Sequence, residues 1–206
     1  MTRTFIALEM PASVQRVLNS TIERFARALP ALRWVDAASI HLTLAFLGEL
    51  DDDRLALAME ATQAAAHDFP TFDYRLTAPG IFGSPQQPRV IWMGIADQPV
   101  AQLHGSPLQR LHHILNRELQ RRNFETENRP FSPHLTLARV KHPLTPAEQQ
   151  SLQRLLHGKQ EQTGSTLYKV NHLNVMKSEL SRAGAKYTIQ QAYALQELKE
   201  WRSSVL

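Results

Sequence analysis

The pentapeptide His-Leu-Thr-Leu-Ala occurs twice in this chain. It stands at 41–45 within SIHLTLAFLG and again at 134–138 within SPHLTLARV, so the two histidines are 134 − 41 = 93 positions apart. Side chains alternate faces along a strand. A regular strand therefore sets His41, Thr43 and Ala45 on one side and Leu42, Leu44 and Phe46 on the other. The second copy splits in the same way, with His134, Thr136 and Ala138 opposite Leu135 and Leu137. The leucines suit a core, whereas the histidines and threonines do not. A chain that repeats this pattern is expected to place two polar faces toward each other.

The flanking elements repeat as well. RTFIALEM (3–10) reads as a short buried strand, and Pro11 then opens a helix whose inner face is Val14, Val17, Leu18, Thr21, Phe25 and Leu29. LRWVD is a brief extended piece before the first motif strand (40–48). Asp51, Asp52 and Asp53 begin a helix to about His67, where acidic residues complement the helix dipole. FDYRLTAPGIF and RVIWMGI are two strands joined by the turn-forming GSPQQP. A helix follows with Leu108, Leu111, Leu115 and Leu119 on one side, and then the second motif strand (134–140). TPAEQQSLQRLLHG has a threonine N-cap and a proline at the first helical position. TLYKVNHLNVMKSEL and KYTIQQAYAL close the chain as a hairpin across SRAGA. The expected fold is α+β: two pseudo-symmetric lobes, each an antiparallel sheet with helices on its outer face, around a central cleft. Residues 1–206 are read as one bilobal domain built by internal duplication, divided at about 1–85 and 86–206.

Composition excludes several classes. Of the 206 residues 43% are hydrophobic, enough for a sizeable core, and the absence of cysteine removes disulfides, thiolate metal sites and cysteine nucleophiles. The opening MTRTFIALEMPASV is interrupted by Glu9 and Pro11 and is read as no signal peptide; a cytoplasmic monomer with no membrane association is expected. A net charge of +4 favours anionic partners. Arg121, Arg122, Arg129, Arg139 and Lys141 cluster around the second motif.

Two imidazoles and two hydroxyls on facing walls suit phosphodiester cleavage. One histidine removes a proton from water while the other protonates the departing oxygen. The threonines hydrogen-bond the phosphoryl oxygens. Arg139 would add a full positive charge, yet in a regular strand it points away from His134. Reaching the phosphate requires a bulge, a twist or a strand end there. One His-x-Thr is weak evidence, because threonine is a common strand residue. Two copies at matching points of a repeated architecture are much stronger, since packing accounts for the leucines and not for the polar pairs. No His-Glu-x-x-His, P-loop, GxGxxG or GxSxG motif is present, and His112 and His113 are neighbours on a helix that face different directions. No metal is expected. Phe46, Trp92 and Phe131 are candidates for stacking on a base, with core packing the simpler reading of Phe46.

These segments resemble the two-histidine (2H) phosphoesterase superfamily, in its LigT-like branch of RNA 2′,3′-cyclic phosphodiesterases, also called 2′-5′ RNA ligases. The resemblance rests on RTFIAL, HLTLAFLGE (41–49), RVIWMGI (89–95), RPFSPHLTLAR (129–139) and SEL…GAKY (178–187). It implies hydrolysis of RNA 2′,3′-cyclic phosphate ends to 2′-phosphates without metal, ATP or other cofactor. It further implies His41 as proton donor, His134 as proton acceptor, Thr43 and Thr136 holding the phosphate, and Arg139 binding it. Phe46 and Trp92 are further substrate-binding candidates. The alternatives are a reversible 2′-5′ ligase acting on tRNA halves, a phosphoesterase for a small 2′-5′ or cyclic nucleotide, and a non-catalytic RNA-end binder.

Overall fold

The computed structural model describes residues 1–101, 103–127, 129–158, 165–181 and 184–197. The central turn residues 182 and 183 of the expected final hairpin lie outside them. In chain order the elements are β1 (Thr2–Glu9), α1 (Ala12–Ala28), β2 (His41–Leu50), α2 (Asp52–Ala66), β3 (Phe72–Gly83), β4 (Pro88–Asp97), α3 (Pro107–Gln120), β5 (His134–Arg139), α4 (Pro146–His157), β6 (Tyr168–Val170), β7 (His172–Ser181) and β8 (Gly184–Ala194). They form two four-stranded antiparallel sheets of order β2-β1-β7-β8 and β5-β4-β3-β6. The α+β bilobal reading holds.

The sheets do not divide at 85/86. β3 lies in the second sheet, and β7 and β8 return to the first. β3 is carried into the second sheet by its hairpin with β4, whereas β7 enters the first sheet by its long-range pairing with β1 and brings its hairpin partner β8 with it. The first sheet thus receives two strands, β7 and β8, from the second half of the chain, and the second sheet receives one, β3, from the first. The last long segment is also two strands rather than one. β6 pairs with β3, β7 pairs with β1, and the chain changes sheet at Asn171.

The helices form where the sequence signals them. Leu108, Leu111, Leu115 and Leu119 are all buried on the inner side of α3. Thr145 and Glu148 close a reciprocal capping box at α4. Arg54 of α2 donates to the carbonyls of Arg122 and Asn123 at 2.9 and 3.0 Å, and its guanidinium lies 3.7 Å from the Phe124 ring. That clamp fixes the end of α3 against α2. One continuous apolar cluster, including Ile6, Leu8, Leu42, Leu111, Leu135 and Leu137, runs under both sheets. Phe5, Ala7 and Met176 form a smaller cluster with Tyr187. It uses the alternate positions of β1 and therefore the opposite face of the first sheet.

Candidate active site

That opposite face is one wall of a cleft with a volume of ≈ 1070 Å³, and His41, Thr43, His134, Thr136 and Arg139 all line it. The extended piece before β2 brings the two motif strands together. Trp34 bridges to Ala138, and the Val35 N–H donates to the Leu137 carbonyl at 2.8 Å. The chain therefore joins the edge of the second sheet immediately before it enters the first motif.

The two histidines are held alike. Nδ1 of His41 is 3.0 Å from the Ser39 carbonyl, and Nδ1 of His134 is 2.8 Å from the Ser132 carbonyl. A carbonyl only accepts, so each Nδ1 must carry a hydrogen. Each Nε2 is then left to give or take a proton, according to the charge of the ring. The rings are also packed. His41 lies between Phe5 (4.6 Å between centroids) and Tyr187 (4.8 Å, edge to face), and His134 meets Phe82 at 4.7 Å. Burial lowers the pKa of His41 below the ordinary 6.5, opposed by its bond to Ser39. Burial thus favours neutral His41, and an anion beside it would favour the protonated form. Imidazole NMR titration is expected to place His41 below 6.5 and to show an upward shift on adding inorganic phosphate. A titration at or above 6.5 without phosphate would contradict the packing argument.

Bulges correct the face assignments made from regular alternation. In β5, Trp92 pairs with Thr136 and Ile91 with Ala138, so Leu137 is an extra residue. Leu137 and Ala138 are consecutively buried, and Arg139 emerges on the side of His134 and Thr136. The same device operates in β2, where Ala7 pairs with Thr43 and Ile6 with Ala45, leaving Leu44 extra. Phe46 consequently leaves the core face. It is 48% exposed, lines the cleft, and carries the Arg3 guanidinium 5.0 Å from its ring centroid. Since 46 + 93 = 139, Phe46 and Arg139 occupy equivalent places on the two walls.

Phe131 also lines the cleft, stacked on His112 at 4.1 Å. Trp92 is not part of the lining. Its indole lies flat against Gly80, where any Cβ would collide with it, and 5.4 Å from Phe82. Burial and the neighbouring His113 lower the pKa of His112, while Glu127 raises it. Of the five basic residues around the second motif, Arg129, Arg139 and Lys141 line the cleft, and Arg89 joins them. Arg121 and Arg122 instead hold Glu118 at 2.7 and 3.1 Å. Sequence reasoning missed Ser39, Ser132, Phe5, Phe82, Arg89 and Tyr187. The repeated Ser-x-His spacing was a visible signal for the two serines. The others come from separate strands that only the sheets align.

A family model described as LigT like Phosphoesterase matches residues 8–92 and 101–187. The chain belongs to the LigT-like phosphoesterase family. Within the family, it is 31% identical over 140 residues to the RNA 2′,3′-cyclic phosphodiesterase of Thermotoga maritima, covering 68% of this chain and 71% of that protein. Identity to the RNA 2′,3′-cyclic phosphodiesterase of Methanothermobacter thermautotrophicus is 25% over 193 residues, covering 94% of this chain and 98% of that one. The crystal structure of Escherichia coli LigT complexed with 3′-AMP is similar with a TM-score of 0.68 and 28% identity, covering 95% of this chain and 98% of that chain. Among the described residues of this LigT-like phosphoesterase, no helix is long and apolar enough to cross a membrane, and no group of three or more His, Asp or Glu stands close enough to hold a metal ion.

Proposed function

We propose that this phosphoesterase hydrolyses RNA 2′,3′-cyclic phosphate ends to 2′-phosphomonoesters by paired-histidine acid–base catalysis, without a metal ion. The observation that carries the reading is the matched pair of imidazoles. Each is fixed through Nδ1 by the carbonyl two residues upstream, and both line one cleft with two threonines and Arg139. The names of the relatives and the 3′-AMP held by Escherichia coli LigT supply the substrate class.

In this mechanism neutral His134 takes a proton from water through Nε2. The water oxygen bonds to phosphorus, and the bond from phosphorus to the 3′ oxygen breaks. Protonated His41 gives its Nε2 proton to that oxygen, leaving a 2′-phosphate and a free 3′-hydroxyl. Thr43, Thr136 and Arg139 hold the non-bridging oxygens as charge builds on them. Phe46, exposed beside Thr43, offers a ring face to the base or ribose. Anion binding supplies the positive shift that His41 needs to act as donor.

Incubation with an oligoribonucleotide ending in a 2′,3′-cyclic phosphate tests this directly. Turnover that is unchanged by EDTA, with a 2′-phosphate product, is expected. A 3′-phosphate product would invert the leaving group, and activity abolished by EDTA and restored by a divalent ion would overturn the metal-free mechanism. Adding tRNA halves with 5′-hydroxyl ends separates hydrolysis from 2′-5′ joining.

A further inference from the structure

The side of α3 that continues from the cleft is strongly basic. His112 and Asn116 line the cleft, and Gln109, Arg110, His113, Ile114 and Arg117 line a separate open concavity of ≈ 600 Å³. A helix turns about 100° per residue, so His113 lies a little over a quarter turn from His112, and Arg117 and Arg110 follow further round. The buried leucines occupy the remaining arc. Gln109 joins the two regions, since its amide donates to the Phe131 carbonyl of the cleft wall at 3.0 Å.

The charge on this stripe is only partly compensated within the described residues. Among the described residues Arg110 has no carboxylate partner. Arg117 stands 3.7 Å from Glu118, whose carboxylate Arg121 and Arg122 already hold at 2.7 and 3.1 Å. The Arg117 side chain is half exposed. Arg117 is seven positions after Arg110, about 10.5 Å along the axis. Two guanidinium groups at that separation, with an imidazole between them, match an extended polyanion better than a single phosphate. The acidic residues of this end of the cleft, Glu125 and Glu127, come from the loop after α3, on the cleft side of the helix.

We infer that Arg110, His113 and Arg117 form a track for the RNA backbone upstream of the terminal nucleotide, so that the enzyme grips a strand by its phosphates while the cleft takes the end. The inference rests on the reading of the cleft as an RNA-end site. It adds that the enzyme favours oligonucleotides over mononucleotides through charge, with no base readout.

The experiment compares a nucleoside 2′,3′-cyclic phosphate with a decaribonucleotide carrying the same end, for wild type and for the double variant R110E/R117E. The wild type is expected to show a KM about tenfold lower for the oligomer. The double variant is expected to lose that advantage while its kcat and KM for the mononucleotide stay unchanged. Anisotropy of a fluorescein-labelled 3′-phosphorylated decaribonucleotide reads the same track without turnover. Removing two phosphate contacts should flatten the slope of log K against log salt by about 1.4. Equal oligomer KM in variant and wild type, or an equal salt slope, overturns the track, as does a wild type that fails to bind the labelled strand. Wild-type binding with the expected slope change, but no turnover of either substrate, would leave the track standing and overturn the hydrolytic reading instead.

Discussion

Replacing His134 with alanine is expected to lower turnover of a cyclic-phosphate substrate by about 10²–10⁴-fold, and His41→Ala by a similar factor. Both rings are only partly buried at the cleft, so circular dichroism and the thermal midpoint should change little. The two losses should not add. Removing either member of an acid–base pair disables the same transition state, and the double variant should fall only slightly below the singles. The roles separate with a substrate carrying sulfur in place of the 3′ oxygen, because a thiolate leaves without a proton. It should restore His41→Ala and leave His134→Ala inactive. The reverse pattern would exchange the donor and acceptor. Retention of activity in either single variant would remove the paired mechanism altogether.

Arg139→Ala is expected to cost about 10²–10³-fold, the usual range for a lost donor to developing negative charge. The loss should fall mainly on kcat, because the guanidinium gains most as charge builds on the phosphoryl oxygens. Arg139→Lys should recover part of the rate, keeping the charge and losing the two-pronged hydrogen bonding. The effect depends on the extra residue at Leu137, which turns Arg139 into the cleft. An Arg139→Ala enzyme with wild-type kcat and KM would mean that the guanidinium only borders the cleft and holds no phosphate.

Much of the site was legible from residue types and spacing. Polar His and Thr alternating with leucines announced a strand with one core face, and a second copy announced a second wall. The helices were legible because their apolar rows and caps are local, as at Leu108, Leu111, Leu115 and Leu119 or Thr145 and Glu148. Strand parity failed after the fourth residue of each motif. A bulge is set by how two strands pair, and Leu44 and Leu137 look like any other strand leucine until β1 and β4 are placed beside them. By the same cause, regular alternation sets Phe46 with the core leucines and turns Arg139 away from His134, although both residues are substrate-binding candidates on the sequence. The two sheets do not follow the 85/86 division, because the hairpin with β4 takes β3 into the second sheet and long-range pairing with β1 takes β7, and β8 with it, into the first.

By itself the sequence determined the two His-x-Thr strands, their flanking helices, the bilobal α+β architecture and the class of chemistry. These depend on alternation, caps and residue types, which act over a few neighbouring positions. The tertiary structure alone decided the exchange of strands between the sheets, the side on which Phe46 and Arg139 emerge, and the burial of His41 between Phe5 and Tyr187. It also decided which cations reach the cleft and which are tied to Glu118. Each of these depends on residues far apart in the chain meeting in one place, and such meetings are fixed by the packing of sheets and helices rather than by any local pattern.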